Sequence, residues 1–231
     1  MRVVCISASN VRHAGQNSTS LRLCRIIERL VLAKRPDGVQ VETIPLVEHE
    51  LTPCTGCGGC YRQERCAVDE GFNAVFGRLA QAGALFIVSA HYAPIPAKLA
   101  MLLEKTEQLA FLKRFQREEY RSPLFGKPVG IVAHGGGTQE IIPYYRGPVL
   151  DTIRNALSYP VEMHILDPQG DGTNGVLLPV ARVTKDEHSP FPVQEYDWAD
   201  LERRLEPLVS QVLARLTPVG RPTGAEPVAA D

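Results

Sequence analysis

The sequence lacks the features that mark several common classes of protein. No apolar run in its 231 residues approaches the roughly 20 residues that a membrane-spanning helix needs. Its first residues, MRVVCISAS, have neither the charged region nor the long apolar region of a signal peptide. Neither sign of charge dominates, since 25 basic residues stand against 26 acidic ones, which argues against nucleic acid or a membrane surface as the main partner. We therefore expect a cytoplasmic protein, in a reducing compartment where clustered cysteines more often bind metal or react than form disulfides.

Short apolar runs alternate with helical patterns over most of the chain. The strand-like runs are 3–6, 39–44, 84–89, 128–133 and 161–166. The helical segments between them are 20–34, 70–82, 97–115 and 146–158, each with apolar residues three and four positions apart. This alternation predicts an α/β fold: a flavodoxin-like, doubly wound parallel sheet of five strands in the order 2-1-3-4-5, with helices on both faces.

The last third of the chain is less regular. Segment 167–192 is rich in Gly, Asp and Pro and is predicted to be a long surface excursion. A final amphipathic helix is predicted at 198–216, with a kink or break at Pro207. We expect residues 1–217 to form a single domain and the Pro-, Gly- and Ala-rich residues 218–231 to form a disordered tail.

The loop after the first predicted strand has the composition of a phosphate site. Hydroxyl and amide side chains occur at 7–10 and again at 17–20, directly before a helix whose dipole favours an anion. Arg12 can add a charge-assisted hydrogen bond. The loop has no G-x-G-x-x-G and no G-x-x-x-x-G-K-[ST], so we favour a monophosphate such as that of FMN over a Rossmann or P-loop site. The simpler alternative is that Asn17 or Ser18 only caps the helix.

Two further loops follow strands 3 and 4. The first, SAHYAPIP from residue 89, offers a stiff rim for a flat ring at the gap between strands 1 and 3, where the strand order reverses. The second contains three consecutive glycines after His134, which let backbone amides approach a ligand. We interpret His91 and His134 as hydrogen-bonded loop residues rather than as ligands or bases.

Four of the six cysteines lie within thirteen residues in the pattern C-x2-C-x2-C-x5-C, and they are Cys54, Cys57, Cys60 and Cys66. Thiolates at this density select an iron–sulfur cluster or zinc, and redox thiols without metal are the third alternative. Arg62 and Arg65 flank the cysteines and either offset the negative charge of a cluster or are simply solvated. The other two cysteines, Cys5 and Cys24, are expected to be buried.

The chain resembles the NADPH-dependent FMN reductase superfamily of flavodoxin-like proteins, and in particular its iron–sulfur flavoprotein branch. The resemblance covers about residues 1–165 and is carried by SASNVRHAGQNSTSL, PCTGCGGCYRQERCAVDE, FIVSAHYAPIPAKLAMLLEK and the three glycines. It implies that the FMN phosphate is contacted by Ser9, Arg12, Asn17, Ser18 and Thr19. It implies that the isoalloxazine and ribityl chain are lined by Ala90, His91, Tyr92, Ala93, Pro94, Ile95, Gly135, Gly136 and Gly137. In the iron–sulfur branch, cysteines at the positions of Cys54, Cys57, Cys60 and Cys66 ligate a 4Fe–4S cluster.

Together these features predict an FMN-dependent NAD(P)H oxidoreductase. It would pass electrons from a nicotinamide through FMN, and through a 4Fe–4S cluster if one is bound, to a small-molecule or protein acceptor that the sequence does not identify. No catalytic base is expected, because hydride transfer to a flavin requires none. The alternatives are a non-enzymatic electron carrier that holds FMN and a cluster, and a flavodoxin-like domain with a structural zinc loop. The resemblance also suggests a homodimer or homotetramer, with helix 97–115 as a contact.

Overall fold

The centre of the protein is a parallel β-sheet. The structure is a computed structural model and describes residues 1–11, 17–35, 37–92, 94–188 and 192–216, so the predicted tail lies outside the described residues. The four long strands are β1 (Arg2–Ala8), β2 (Gln40–Pro45), β3 (Ala84–Ala90) and β4 (Pro128–His134). They lie in the order β2-β1-β3-β4, followed at the edge by β5 (His164–Ile165), which confirms the predicted flavodoxin-like order.

The fifth position of the sheet is shared by two short strands. β5 pairs with the start of β4, at Pro128 and Val129, whereas β6 (Val176–Leu178) pairs with its end. Val176 and Leu178 are buried, so the prediction of a surface excursion over 167–192 is wrong for this part. The glycines around residues 170–175 form a G-x-G-x-x-G run, but it leads into strand β6 rather than a helix. This run therefore lacks the helix N-terminus that a dinucleotide-binding fingerprint requires.

Helices cover both faces of the sheet, because alternate residues of each strand point to opposite sides. On one face, α1 (Thr19–Lys34) and α6 (Trp198–Ala214) pack against side chains such as Val3 and Phe86. On the other face, α3 (Glu70–Gln81), α4 (Ala97–Gln116) and α5 (Thr152–Leu157) pack against side chains such as Val4 and Leu85. A short helix, α2 (Gly59–Arg62), lies in the cysteine-rich loop. Cys5 and Cys24 are buried between β1 and α1, as predicted.

Three local features differ from the sequence prediction. The segment predicted as one helix at 146–158 is a π-helical turn (Arg146–Asp151) followed by α5, and a 3₁₀ turn (Ile142–Tyr145) precedes it. Helix α6 continues past Pro207, with buried Leu205 and Leu208 on either side of it, so the predicted break does not occur and the kink stays a prediction. An antiparallel hairpin, β7 (Arg182–Thr184) and β8 (Val193–Glu195), lies outside the main sheet. Within the described ranges, no helix is long and apolar enough to cross a membrane.

Candidate functional site

A cavity of about 480 Å³ lies where strands β1, β3 and β4 end. The residues predicted for the cofactor that line it are Ser9, Asn17, Ser18, Thr19, Ala90, His91, Tyr92, Gly135 and Gly136. Three loops that are distant in sequence are therefore brought together at the predicted edge of the sheet. Three other predicted residues, Pro94, Ile95 and Gly137, are not among the lining residues, and Arg12 and Ala93 lie outside the described residues.

For two of the three predicted residues that do not line the cavity, the reason is physical. Ile95 is buried in the apolar core beneath the loop, because its side chain is too apolar to remain at a polar rim. The carbonyl of Gly137 accepts a hydrogen bond from the Val180 amide at 2.9 Å. This bond turns the last glycine toward the segment after β6 and away from the cavity.

Ser18 stands at the N-terminus of α1, and its hydroxyl has no partner among the described residues. Its side chain makes no capping hydrogen bond, and among the described residues its buried Oγ has no hydrogen-bond partner at all. A buried polar atom without a partner is unfavourable, and the first turn of a helix presents unpaired amides and a positive dipole beside it. The cap alternative for Ser18 is thus not supported. The arrangement fits an anion such as the monophosphate of FMN.

His134 forms a buried hydrogen-bonded pair at the floor of the cavity. Its Nε2 lies 2.7 Å from Ser20 Oγ, and burial lowers the pKa of His134 to about 4, so the ring is neutral at neutral pH. Its Nδ1 is buried with no hydrogen-bond partner in the described part of the chain. The hydrogen bond predicted for His134 is confirmed, but His134 is the last residue of strand β4 rather than a loop residue. Among the described residues its Nδ1 is left unsatisfied at the cavity wall.

The rim after β3 is held by aromatic packing. The His91 ring stacks on Tyr145 with 4.4 Å between ring centroids, and the His91 amide donates to the His134 carbonyl at 2.9 Å. A Cβ on Gly135 would lie only 2.6 Å from the Tyr145 ring. The absence of a side chain at Gly135 therefore lets the Tyr145 ring approach the loop and stack on His91.

The β7–β8 hairpin adds two side chains that sequence reasoning missed. Gln194 and Tyr196 line the cavity, and the Tyr196 hydroxyl donates to Gln194 Oε1 at 2.7 Å. Burial raises the pKa of Tyr196, although a hydrogen bond with the Thr19 side chain acts in the opposite direction. The other lining residues not assigned to the cofactor from sequence are Asn10, Val11, Ser20 and His134. All four are adjacent in sequence to predicted positions, whereas Gln194 and Tyr196 are not.

The four clustered cysteines line a separate cavity of about 140 Å³. Cys57 is exposed and the other three are partly buried, above a floor that includes Leu109 and Leu112 of α4. Burial raises the pKa of the Cys60 thiol, and the neighbouring cysteines add to this rise. Hydrogen bonds from the Gly59 amide and the Thr55 side chain lower the pKa of Cys57. Four soft donors thus share one cavity, which is the donor set of an iron–sulfur cluster or zinc.

The cysteine loop is fixed by side chains of α3 and α4. The Cys66 amide donates to Asn73 Oδ1 at 2.8 Å, and Asn73 Nδ2 donates back to the Cys66 carbonyl at 2.9 Å. The Cys54 amide donates to Glu104 Oε2 at 3.1 Å. Among the residues that the structure describes, no three His, Cys, Asp or Glu side chains are grouped so as to hold a single metal ion. Arg65 pairs with Glu70 at the surface.

A buried ion pair, Asp69 with Lys105, lies beneath this loop. Both side chains are about 4% exposed or less, and Lys105 also lines the cysteine cavity. Asp69 caps α3 by accepting from the Phe72 amide at 2.8 Å, and it accepts from the Thr52 amide at 2.9 Å. Burial alone would raise the pKa of Asp69, but hydrogen bonds from Lys105, Thr52 and Phe72 outweigh it and lower the pKa to about 2.

Comparison with known proteins agrees with this geometry. A family model described as NADPH-dependent FMN reductase matches residues 1–144. The curated iron–sulfur flavoprotein of Methanocaldococcus jannaschii is 24% identical over 110 residues, which are 47% of this chain and 53% of the relative, so the chain spans about half the length of that relative.

Two solved structures share the fold. The apo form of the NADH:FMN oxidoreductase EmoB has a TM-score of 0.55 at 17% identity and covers 94% of this chain and 90% of its own. An FMN-dependent NADH-azoreductase of Bacillus anthracis, in complex with FMN, has a TM-score of 0.52 at 13% identity and covers 94% and 99%. At such identities the likeness establishes the fold alone.

Proposed function

The chain belongs to the NADPH-dependent FMN reductase family, and from this membership we propose that it is an FMN-dependent NAD(P)H oxidoreductase. The observation that carries the proposal is the 480 Å³ cavity at the reversal of strand order, with the Ser18 hydroxyl, which has no partner in the described part of the chain, at the N-terminus of α1. Ligands of doubly wound sheets bind at this point, and an unpaired hydroxyl beside a helix N-terminus suits a monophosphate.

FMN, when bound, supplies hydride acceptance from a nicotinamide and onward electron transfer. The residues of this chain bind and orient it. Ser9, Asn17, Ser18 and Thr19 would hold the phosphate, and His91, Tyr92, Gly135 and Gly136 would flank the ribityl chain and the ring. The neutral His134 would offer its Nδ1, which has no partner within the described ranges, to a polar group of the cofactor.

Substitution of the phosphate contact tests the cavity assignment. Ser18→Ala removes one hydrogen bond to a charged group, about 1.5–3 kcal/mol, so we expect FMN affinity to fall by at least about tenfold. Riboflavin, which lacks the phosphate, should bind both proteins alike. Ser210→Ala is the matched control, because Ser210 lies on the exposed side of α6. Equal weakening for FMN and riboflavin would contradict the phosphate assignment.

Anaerobic mixing with NADPH or NADH tests the enzymatic part. If the protein is an oxidoreductase, the nucleotide reduces the bound FMN and the visible absorbance of the flavin is lost after mixing. A protein that binds FMN as above but stays coloured with both nucleotides would be the electron carrier instead.

We further propose that the cysteine loop binds a 4Fe–4S cluster. Support comes from the four thiols on one cavity and from the name of the curated relative, an iron–sulfur flavoprotein. Iron, acid-labile sulfide and zinc should be measured on anaerobically purified protein. Iron and sulfide in equal amounts support the cluster, and stoichiometric zinc without iron supports a structural zinc loop. The absence of both metals supports redox thiols.

We also propose that α4 contributes to a homo-oligomer. Phe111 and Phe115 on this helix are 47% and 77% exposed, and their rings stack on each other with 6.5 Å between centroids. Light scattering of the wild-type chain and of Phe115→Glu tests this, and an unchanged mass would exclude this contact.

A further inference from the structure

The cavity formed by the clustered cysteines has a buried charged side chain in its wall. Apart from the cysteines, the lining consists of uncharged residues and Lys105. Lys105 is only 4% exposed, and within the described part of the chain it is the only charged residue of this wall. A group bound by the thiolates therefore has a buried ammonium beside it.

The ammonium of Lys105 is held by two residues that lie outside the cavity wall. Its Nζ pairs with the Asp69 carboxylate and donates to Thr52 Oγ1 at 3.1 Å, and neither partner lines the cavity. An ammonium has three N–H groups, and these two contacts are its hydrogen bonds within the described ranges. The third N–H is left for an acceptor in the cavity.

The Asp69 carboxylate is bound on all sides by protein groups. Its Oδ1 accepts from the Phe72 amide at 2.8 Å, and its Oδ2 accepts from the Thr52 amide at 2.9 Å and from the Thr52 hydroxyl at 3.0 Å. These bonds fix the carboxylate behind Lys105, which alone of the two borders the cavity. The buried pair thus presents its positive end to the cysteines.

The other charges near the loop are more exposed. Arg62 and Arg65, which the sequence suggested as partners for a cluster, are exposed and do not line the cavity. Glu104, whose carboxylate holds the start of the loop, is exposed as well. Solvent screens exposed charges, whereas a buried charge acts through a medium of lower dielectric constant. Among these residues, Lys105 therefore acts most strongly on a group in the cavity.

We propose that Lys105 raises the reduction potential of the 4Fe–4S cluster by giving it a hydrogen bond and a positive charge, and that Asp69 holds Lys105 in place for this role. This inference rests on the proposed cluster. The potential of such a cluster depends on its net charge and on hydrogen bonds to its sulfurs. Each electron that the cluster accepts makes it more negative, so a buried ammonium stabilises the reduced form and favours electron transfer from reduced FMN.

Opposite substitutions within the pair distinguish this role from structural support. Lys105→Gln removes the positive charge and leaves the Asp69 carboxylate unbalanced, so the potential of the cluster should fall. Asp69→Asn leaves the ammonium with the cluster as its counter-charge, so the potential should rise. Loss of packing alone does not produce shifts of opposite sign from the two partners.

Lys113→Gln is the matched control. Lys113 is also 4% exposed and lies about two turns further along α4. Its Nζ donates to the Tyr61 carbonyl at 3.1 Å, but it does not line the cavity.

The experiment uses the full chain, purified anaerobically with FMN and cluster bound. Each protein is titrated with dithionite at pH 7, and the low-temperature EPR signal of the reduced cluster gives its potential. The double variant Asp69→Asn with Lys105→Gln removes both charges of the pair. It keeps the comparison available if a single variant does not fold.

We expect Lys105→Gln to lower the equilibrium constant for one-electron reduction by about tenfold or more, which corresponds to about 59 mV. The double variant should also lie below wild type, because the positive end of the pair is lost, and Lys113→Gln should shift the potential much less. Shifts of the same sign in Lys105→Gln and Asp69→Asn would overturn the inference. A wild-type potential in the double variant, or an equal shift in Lys113→Gln, would do the same.

The proposed cluster and the role of Lys105 fail in different ways. If wild type contains no iron and sulfide, the cluster assignment fails and the role of Lys105 fails with it. If wild type contains both and the variants of the pair keep its potential, the cluster stands and Lys105 only supports the loop. FMN content is a separate measurement, because the flavin cavity and the cysteine cavity share no lining residue among those described.

Discussion

Replacing Asp69 by Asn is expected to destabilise the fold and to remove part of its pH dependence. The pKa of Asp69 is lowered from 3.8 to about 2, and one pKa unit corresponds to about 1.36 kcal/mol. The charged carboxylate therefore contributes about 2.4 kcal/mol of stability. Because the pKa is lower in the folded state, this contribution is complete above about pH 4 and is lost as the pH falls toward 2.

The substitution has a second effect through Lys105. Asn can still accept the Phe72 amide that caps α3, but it leaves the buried ammonium without a counter-charge. Removing one partner of a buried pair costs about 3–5 kcal/mol. The double variant Asp69→Asn, Lys105→Met removes both charges, so it should recover part of this loss.

Urea unfolding at pH 7 and at several values down to pH 2.5 measures these effects. Wild type should lose stability over the acid range more steeply than Asp69→Asn, by up to about 2 kcal/mol. Equal acid dependence in both proteins, or a double variant that is less stable than Asp69→Asn, would refute the account of a mutually supporting buried pair.

Three further outcomes are expected. Wild type should become less stable as the pH falls from about 6.5 to about 4, because His134 stays neutral in the folded state while it is protonated in the unfolded state. His134→Gln should not show this decline, and equal slopes of the free energy of unfolding against pH in the two proteins would contradict the account. Gly135→Ala should weaken FMN binding, because the new Cβ meets the Tyr145 ring at 2.6 Å and overpacking typically costs about 1–3 kcal/mol; Gly147→Ala is the control, since its Cβ would meet nothing within 4 Å. Cys66→Ser should lower bound iron while FMN content stays unchanged, by metal analysis and flavin absorbance, and undiminished iron would remove Cys66 from the ligand set.

Much of the fold could be predicted because its signals are local. The buried strands β1, β3 and β4 are largely β-branched and apolar runs, and α1 and α3 carry regular apolar stripes. Strand β6 could not be recognised, since only three residues pair and they lie among Gly and Asp. Helix α6 continues through Pro207 because tertiary burial on both sides outweighs the local preference to stop.

In the candidate site, too, some residues could be predicted from the sequence and others could not. Asn17, Ser18 and Thr19 are adjacent in sequence, so their shared chemistry is visible without a structure. Gln194 and Tyr196 are more distant, and they reach the cavity only because the β7–β8 hairpin folds back toward the glycines after β4. No local pattern encodes that contact. The Nδ1 of His134 lacks a partner among the residues that the structure describes, and this too is a property of packing.

The division of the outer sheet position between β5 and β6 has a consequence for self-association. An uninterrupted outer strand exposes a row of unpaired N–H and C=O groups that can recruit a strand from another molecule. Here that border consists of a two-residue and a three-residue piece, each paired with a different half of β4. Neither piece is long enough to template a continuous intermolecular ladder. This margin of the sheet is thereby protected against strand pairing between molecules.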